Sequence, residues 1–219
     1  MNSIVRIVTS MYETNSYVVY AGSTAFVVDV GEDVKKLIDV LSELRVDVEA
    51  IIITHGHADH FAGLPVLRER FPQMRVCMSR RDLRVAELTA PVIYPEAYRE
   101  LLENLKIDVD LAEGVYRFGG ILLRVLEVPG HSPGSIAIHL PQHNALFTGD
   151  TLFAGSVGRT DLFGGSSKSL VRSICRLYRE LPPSIHVYPG HGPETTLENE
   201  RRGNIYVVHA LERCCSTTL

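Results

Sequence analysis

The sequence has few of the features that mark secreted or membrane-bound proteins. Only four of its 219 residues are cysteines, and they show neither metal-site spacing nor a secreted disulfide framework (Cys77, Cys175, Cys214 and Cys215). No apolar run approaches the roughly 20 residues that span a bilayer, and residues 1–6 lack a signal-peptide pattern. We therefore expect a cytoplasmic protein without disulfides, because a reducing cytosol disfavours them.

The chain also lacks a strong charge of either sign. Its formal net charge of −4 implies no attraction to nucleic acid or to an anionic membrane. A basic stripe does lie on one face of a predicted helix, opposite an apolar face (Lys168, Arg172, Arg176 and Arg179). Because no aromatic side chains for base stacking are interleaved with it, we interpret the stripe as a solvated face. We expect a small-molecule substrate, and the oligomeric state stays open.

Length and composition favour one domain. A chain of 219 residues that is 45% hydrophobic can bury a large core. Neither an internal repeat nor a low-complexity linker divides it. We expect residues 1–219 to form a single domain, with a helical excursion at about residues 80–105.

Potential metal ligands are concentrated in the run Thr54–His60, whose sequence is THGHADH. The run follows Ala50–Ile53, an apolar stretch that reads as a buried strand. Neutral imidazole and carboxylate are the usual ligands of zinc and other first-row metals. At the end of a strand, such side chains can converge on one point, so we interpret the run as part of a metal site.

Three later loops repeat this arrangement of an apolar run, a glycine and one ligand-type residue. His131 follows Ile121–Val128, Asp150 follows Ala145–Thr148, and His191 follows a strand pattern that ends at Tyr188. Glycine beside each of them fits a backbone that passes close to a bound ion. The repetition predicts that four strand ends meet at one edge.

Periodicity and turn residues predict the remaining elements in outline. The predicted strands are Ser3–Thr9, Ser16–Tyr20, Ala25–Val30, Ala50–Ile53, Arg75–Met78, Gly114–Phe118, Ile121–Val128, Ser135–His139, Ala145–Phe147 and Ile185–Tyr188. The predicted helices are Asp33–Leu44, Phe61–Arg70, most of Arg80–Leu105, Lys168–Leu181 and a short helix after Pro193. Strand clusters flanked by amphipathic helices suggest two packed sheets with helices outside.

The motifs together resemble the metallo-β-lactamase superfamily over most of the chain. The pattern is His-x-His-x-Asp-His, with a later Pro-Gly-His, Gly-Asp and Gly-His. Within the superfamily, Phe147–Phe153, Gly158–Asp161 and Tyr188–Thr196 resemble the glyoxalase II-like (hydroxyacylglutathione hydrolase-like) branch. This resemblance implies an α+β fold, a four-layer αββα metallo-β-lactamase-type sandwich with metals at one edge between the sheets.

The resemblance also implies a ligand set. His55, His57 and His131 would hold one divalent metal ion, and a second ion would be held by three further ligands (Asp59, His60 and His191). Asp150 would bridge both ions. Zinc is the expected metal, with iron or manganese as alternatives. Asp59 and Asp150 are also the candidate catalytic residues.

This implied site predicts a dinuclear hydrolase. Two metals about 3.5–4 Å apart can share a hydroxide that attacks a polarised carbonyl. The expected substrate is a small thioester such as S-lactoylglutathione. The branch also contains mononuclear iron persulfide dioxygenases, which are the alternative. Other hydrolases on this fold, or a binding protein with a vestigial site, are lesser options. True β-lactamases typically have cysteine where Asp150 stands, so we do not expect β-lactam hydrolysis.

Substrate contacts are harder to predict. The longer glyoxalase II enzymes have a basic residue near the position of Arg159, which makes Arg159 the candidate anchor for an anionic substrate. The chain ends soon after His191 without the helical domain that completes their glutathione site, so another small thioester is an alternative to a glutathione thioester. Tyr94 and Tyr98 could belong to a lid, but we favour ordinary packing of the excursion. We expect no catalytic role for the remaining histidines (His139, His143, His186 and His209).

Overall fold

Two six-stranded sheets lie at the centre of the molecule. The structure is a computed structural model that describes residues 3–9 and 11–216. The first sheet contains, in spatial order, Ser3–Thr9 (β1), Thr14–Ala21 (β2), Thr24–Val28 (β3), Asp47–Ile52 (β4), Arg75–Met78 (β5) and Val109–Asp110 (β6). Strands β1 to β3 are antiparallel, whereas β3 to β6 run parallel.

The second sheet is built from the later half of the chain. Its strands are Gly114–Phe118 (β7), Ile121–Glu127 (β8), Ile136–Leu140 (β9), Ala145–Gly149 (β10), His186–Pro189 (β13) and Thr195–Thr196 (β14). Their spatial order is β14-β13-β10-β9-β8-β7, and β10 pairs with β13 in parallel. Leu152–Phe153 (β11) and Ser156–Val157 (β12) form a small separate hairpin.

Side chains of the central strands alternate between two cores, as the period of two in a strand requires. Val27 and Ile51 pack outward against helices, whereas Val28 and Ile52 pack between the sheets. The inter-sheet core also takes side chains from the second sheet, including Phe147. Both faces of these strands are apolar, so each sheet needs a covering layer on its outer side.

Helices supply those covering layers. Lys35–Leu44 (α1), Leu64–Arg70 (α2), Leu83–Ile93 (α3) and Tyr98–Asn104 (α4) precede β7, and Ser167–Glu180 (α5), Leu197–Gly203 (α6) and Ile205–Ser216 (α7) follow β12. Apolar residues of α1 to α4 pack on the first sheet, and those of α5 to α7 pack on the second. The predicted four-layer αββα sandwich is confirmed.

The boundaries of two predicted helical segments differ from the prediction. The helix predicted from Phe61 begins at Leu64, because Ala58–His60 form a 3₁₀ turn. The excursion is two helices, α3 and α4, with Tyr94 at the C-terminal cap of the first. Leu101 and Leu105 are buried in the first outer core, and Tyr94 and Tyr98 pack against it. Ordinary packing therefore accounts for the apolar stripe of the excursion.

The expectation that the cysteines are unpaired is wrong. Cys175 in α5 and Cys214 in α7 form a disulfide, with their Cα atoms 6.2 Å apart, a separation within the usual range for a disulfide. Helix α7 was not predicted from the sequence, so nothing indicated that residue 214 returns to α5. Cys77 is buried and free. Among the described helices, none is both long enough and apolar enough to cross a membrane.

Candidate metal centre

All seven predicted ligands meet at one edge of the sandwich, between the two sheets. They form three overlapping groups in which the ligand atoms lie within 4.8 Å of one another: His55–His57–His131, His55–His60–Asp150 and Asp59–His60–His191. Strands β4, β8, β10 and β13 end at this edge, as the repeated strand–glycine–ligand pattern predicts. The first sheet supplies the His-rich run, and the second sheet supplies His131, Asp150 and His191.

The first cluster is a triangle of imidazole nitrogens. His131 Nε2 lies 2.7 Å from His57 Nδ1 and 3.2 Å from His55 Nε2, and His55 Nε2 lies 3.1 Å from His57 Nδ1. Nitrogens about 3.3 Å apart are expected around a tetrahedral ion with metal–nitrogen bonds of about 2.0–2.1 Å. The triangle is therefore close to the size that a zinc-like ion needs.

The second cluster combines two imidazoles with two carboxylates. His60 Nε2 is 3.2 Å from His191 Nε2. Asp59 Oδ2 lies 3.5 Å from His60 Nε2 and 3.3 Å from His191 Nε2. Asp150 lies between the clusters, since its Oδ1 is 3.4 Å from His60 Nε2 and its Oδ2 is 3.6 Å from both His131 Nε2 and His191 Nε2.

Hydrogen bonds at the far sides of the rings determine which nitrogens carry protons in the first cluster. His131 Nδ1 donates to the Arg159 carbonyl, 2.8 Å away. Thr54 Oγ1 donates its proton to Asp29, so it accepts one from His55 Nδ1 at 3.1 Å. A neutral imidazole has only one N–H, so both Nε2 atoms present lone pairs to each other. This arrangement is repulsive unless a cation lies between the two rings.

The same reasoning applies to the second cluster. His60 Nδ1 donates to Asp29 Oδ2 at 3.0 Å, and His191 Nδ1 donates to the Tyr12 carbonyl at 3.0 Å. The two Nε2 atoms again face each other at 3.2 Å, now beside two carboxylates, so the space between them requires positive charge, from a protonated ring or from a bound cation. In addition, Asp150 Oδ1 is buried without a hydrogen-bond partner, which is costly for a carboxylate oxygen. The residues therefore fit two bound cations.

The pKa values show that the two clusters differ electrostatically. Burial, with the neighbouring histidines, lowers the pKa of His55 and brings that of His57 to about 4. Burial also lowers the pKa of His60, but Asp59, Asp150 and Asp29 outweigh it and raise the value to about 10. The first cluster thus offers neutral nitrogen donors, whereas the carboxylates of the second require positive charge, which a metal ion supplies.

Asp29 is a supporting residue that the sequence analysis missed. Its carboxylate accepts hydrogen bonds from the backbone N–H and hydroxyl of Thr54, both at 2.8 Å, and from His60 Nδ1. It therefore orients ligands of both clusters, His55 through Thr54 and His60 directly. Its φ of 54° is left-handed, which is uncommon outside glycine. The signal available in the sequence was a carboxylate directly after the apolar run of strand β3.

Asp82 is a second such residue, and it joins two ligand loops. Its carboxylate accepts from the N–H of Gly56 at 2.8 Å, from the Ser132 hydroxyl at 2.5 Å and from the N–H of Gly134 at 2.5 Å. Burial raises the pKa of Asp82, and these three donors oppose that shift. The sequence analysis placed Asp82 near the start of the helical excursion, and no sequence signal pointed to this role.

Glycine is required where the backbone approaches the ligands. A Cβ on Gly190 would lie 2.2 Å from Asp150 Oδ1 and 2.8 Å from His60 Cε1. A Cβ on Gly158 would lie 1.7 Å from the Asp150 carbonyl oxygen. The expectation that glycines accompany ligands because the chain passes close to the site is confirmed at Gly190, whereas Gly158 was not among the glycines that it covered.

Arg159 contributes to the site through its backbone. Its carbonyl fixes His131, whereas its exposed guanidinium forms a two-pronged ion pair with Asp161 at 2.7 and 2.8 Å. The side chain thus points to an acidic neighbour in the same loop. Its predicted contact with substrate stays a prediction.

Comparisons with known proteins agree with this geometry. A sequence profile described as the metallo-beta-lactamase superfamily matches residues 11–191. The hydroxyacylglutathione hydrolase GloC of Haemophilus influenzae is 29% identical over 94% of this chain and 98% of its own length.

Two solved structures are also similar. BLEG-1, described as a B3 metallo-beta-lactamase, is 31% identical, with a TM-score of 0.82 over 94% of this chain and 99% of its own. TTHA1623, solved in a di-iron-bound form, is 35% identical, with a TM-score of 0.80 over 92% of this chain and 99% of its own.

Proposed function

Because the chain belongs to the metallo-beta-lactamase superfamily, we propose that it is a dinuclear metallohydrolase that cleaves a small thioester such as S-lactoylglutathione. One observation carries the proposal: Asp150 lies between two clusters of converging imidazole nitrogens. The similarity to the GloC hydrolase supports the substrate class and the glyoxalase II-like branch.

The residues divide into two ligand sets around Asp150. His55, His57 and His131 would hold the first ion, and Asp150 would contact both ions; the second ion would be held by Asp59, His60 and His191. Bound divalent ions would supply Lewis acidity that polarises a carbonyl and acidifies water near neutral pH. We propose zinc, and the di-iron form of TTHA1623 makes iron the first alternative.

The protein residues constrain how a reaction would proceed. Burial raises the pKa of Asp59, but His60 and His191 outweigh it and hold the value well below its usual range. A carboxylate with so low a pKa is a weak proton acceptor, which favours a ligand role for Asp59 over a role as general base. Hydrogen bonds from the ring N–H groups of His60 and His131 to the Asp29 carboxylate and the Arg159 carbonyl hold the two rings in place.

A persulfide dioxygenase with one iron is the second candidate. The group His55–His60–Asp150 offers two imidazoles and one carboxylate, the ligand type of non-haem iron oxygenases. Gly158–Asp161 also resembles the corresponding stretch of that branch. This reaction needs redox-active iron and molecular oxygen, so it differs from hydrolysis in a measurable way.

The test compares both reactions with purified full-length protein of measured metal content. We expect the zinc-loaded protein, assayed without oxygen, to release thiol from S-lactoylglutathione or a related thioester. A β-lactam serves as a third substrate, because BLEG-1 is described as a β-lactamase; we expect it to be hydrolysed far more slowly. Oxygen consumption with glutathione persulfide by an iron-loaded protein, without thioester cleavage, would favour the dioxygenase.

Two ligand variants test the dinuclear arrangement within the same assay. Asp150 faces both clusters, whereas His191 faces only the second. We expect Asp150→Ala to lose more metal and more activity than His191→Ala, while both variants stay folded by circular dichroism. Near-normal hydrolysis by Asp150→Ala at the wild-type metal content would contradict the proposal.

A further inference from the structure

A cationic groove lies between helices α5 and α7, on the outer face of the second sheet. Its volume is about 480 Å³. The side chains that matter are four cations and the two disulfide-bonded cysteines: Lys168, Arg172, Arg179, Arg213, Cys175 and Cys214. Among the described residues that line the groove, none is acidic.

Helix geometry explains why the charges face the disulfide. Lys168, Arg172, Cys175 and Arg179 are spaced by four, three and four residues, so they share one face of α5. The three cations are exposed. Arg176, which belongs to the same predicted stripe, turns away and forms ion pairs with Glu113 and Glu180. The three other cations of this face of α5, Lys168, Arg172 and Arg179, therefore leave positive charge beside the sulfur atoms.

Two properties of this groove, its clustered cations and its disulfide, favour anionic thiols as ligands. Clustered cations attract small anions. Cations near a cysteine also stabilise its thiolate, which makes it a better leaving group when a disulfide is attacked. Cys175 is 8% exposed, whereas Cys214 is partly exposed. Attack from solvent is therefore directed at Cys214, and Cys175 is the sulfur that leaves.

We propose that this groove binds anionic low-molecular-weight thiols, and that the Cys175–Cys214 disulfide exchanges with them. A bound thiolate attacks Cys214 Sγ, the bond between the two protein sulfurs breaks, and Cys175 leaves as a thiolate. A second thiolate then attacks the ligand sulfur of the mixed disulfide and releases Cys214 as a thiolate. Two small-molecule thiols are thereby oxidised to one disulfide, and the protein disulfide is reduced by two electrons.

This exchange would connect the redox state of small thiols to the packing of α7. The disulfide is the covalent link between α7 and α5. The start of α7 is held by a separate contact, because the side-chain amide of Asn204, directly before α7, donates to the Ser156 carbonyl in β12. The proposal is independent of the hydrolase proposal, because neither metal nor thioester takes part in the exchange.

The test measures the reduction rate of the oxidised full-length protein with two thiols of different charge. Glutathione is the more anionic probe, because its thiolate carries more net negative charge than the thiolate of 2-mercaptoethanol, and each rate is expressed per thiolate present. Samples are quenched by alkylation, and modification of Cys175 and Cys214 is located by peptide mass. At low salt we expect the glutathione to 2-mercaptoethanol rate ratio to fall about tenfold in the double variant Arg172→Glu/Arg179→Glu. Raising the salt to 1 M should reduce the wild-type ratio towards that of the variant.

A matched charge reversal controls for net charge. The double variant Lys35→Glu/Lys36→Glu reverses two exposed cations on α1, on the opposite outer face. It changes the net charge by as much as Arg172→Glu/Arg179→Glu and should leave the rate ratio within twofold of wild type. Both Cys175 and Cys214 stay in every protein compared, so the sulfur chemistry is shared. A ratio unaffected by Arg172→Glu/Arg179→Glu would overturn the proposal, and so would alkylation of both cysteines after treatment with oxidised glutathione.

Discussion

The positive charge of Arg159 is paired with the carboxylate of Asp161, so an anionic substrate would compete with Asp161 for it. Its guanidinium forms two contacts with Asp161, and both side chains are more than half exposed. An exposed pair of this kind is weak, so an anionic substrate can displace Asp161. We expect Arg159→Ala to raise KM for an anionic thioester more than it lowers kcat, the pattern of uniform binding.

The adjacent carboxylate supplies the control for this prediction. Asp161→Asn removes the competing charge and should leave KM unchanged or lower it, in steady-state assays of both variants. A fall in kcat with unchanged KM in Arg159→Ala would instead indicate that the Arg159 backbone, which fixes His131, had moved.

At the scale of single residues, the sequence predicts the metal ligands better than it predicts the residues that orient those ligands through hydrogen bonds. His131, Asp150 and His191 each follow a strand and a glycine, so chemistry and spacing coincide, and the structure brings them together. Asp29 and Asp82 act through hydrogen bonds to groups 25 or more positions away. Such contacts depend on how sheets and loops pack, which local sequence patterns do not describe.

Among the elements, helix α5 is held to the second sheet by a polar contact as well as by its apolar face. Arg176 pairs with Glu113 and Glu180 and donates to the Glu127 carbonyl at the end of β8. These groups are partly exposed, so solvent screens them and the free energy involved is modest. We expect Arg176→Ala to lower the free energy of unfolding by about 1 kcal/mol in urea titrations.

The same ion pairs predict that the stability contributed by Arg176 depends on pH. Hydrogen bonds from Arg176 lower the pKa values of Glu113 and Glu180 below their ordinary 4.5. A carboxyl whose folded pKa is depressed stabilises the fold above its unfolded pKa, and this contribution is lost as the pH falls through the folded pKa. The difference between wild type and Arg176→Ala should therefore be full at pH 7 and shrink below about pH 4. Arg179→Ala, an exposed position on the same helix, should show no such trend.

Long periodic elements were predicted well, and short or terminal ones were not. Helix α5 was predicted one residue from its actual bounds, because its apolar and basic faces alternate over several turns. The two-residue strands β6, β11, β12 and β14 are too short to show any periodicity. Helix α7 was also missed, and with it the disulfide, which is formed by residues 39 positions apart.

On the scale of the whole molecule, the candidate metal centre joins two halves of the chain. The first cluster combines His55 and His57, which follow the first sheet, with His131 from the second. The second cluster combines Asp59 and His60 with His191 in the same way. A bound ion in either cluster would therefore link the sheets at the edge where loops, not a continuous apolar core, hold them together.

Metal removal should consequently destabilise the fold as a whole. Ions that bind only the folded state add about 4 kcal/mol of stability at a free concentration 1,000 times Kd, and for a chain of this size about 1 kcal/mol shifts Tm by roughly 2–4 °C. We expect chelation to lower Tm by about 10 °C in calorimetry and re-addition of zinc to restore it. Asp150→Ala, which disturbs both clusters, should show a much smaller difference between its chelated and zinc-supplemented forms. Equal Tm values for a wild-type protein shown to contain two metals and for its chelated form would contradict this prediction, because they would mean that the ions do not bind the folded state in preference to the unfolded chain.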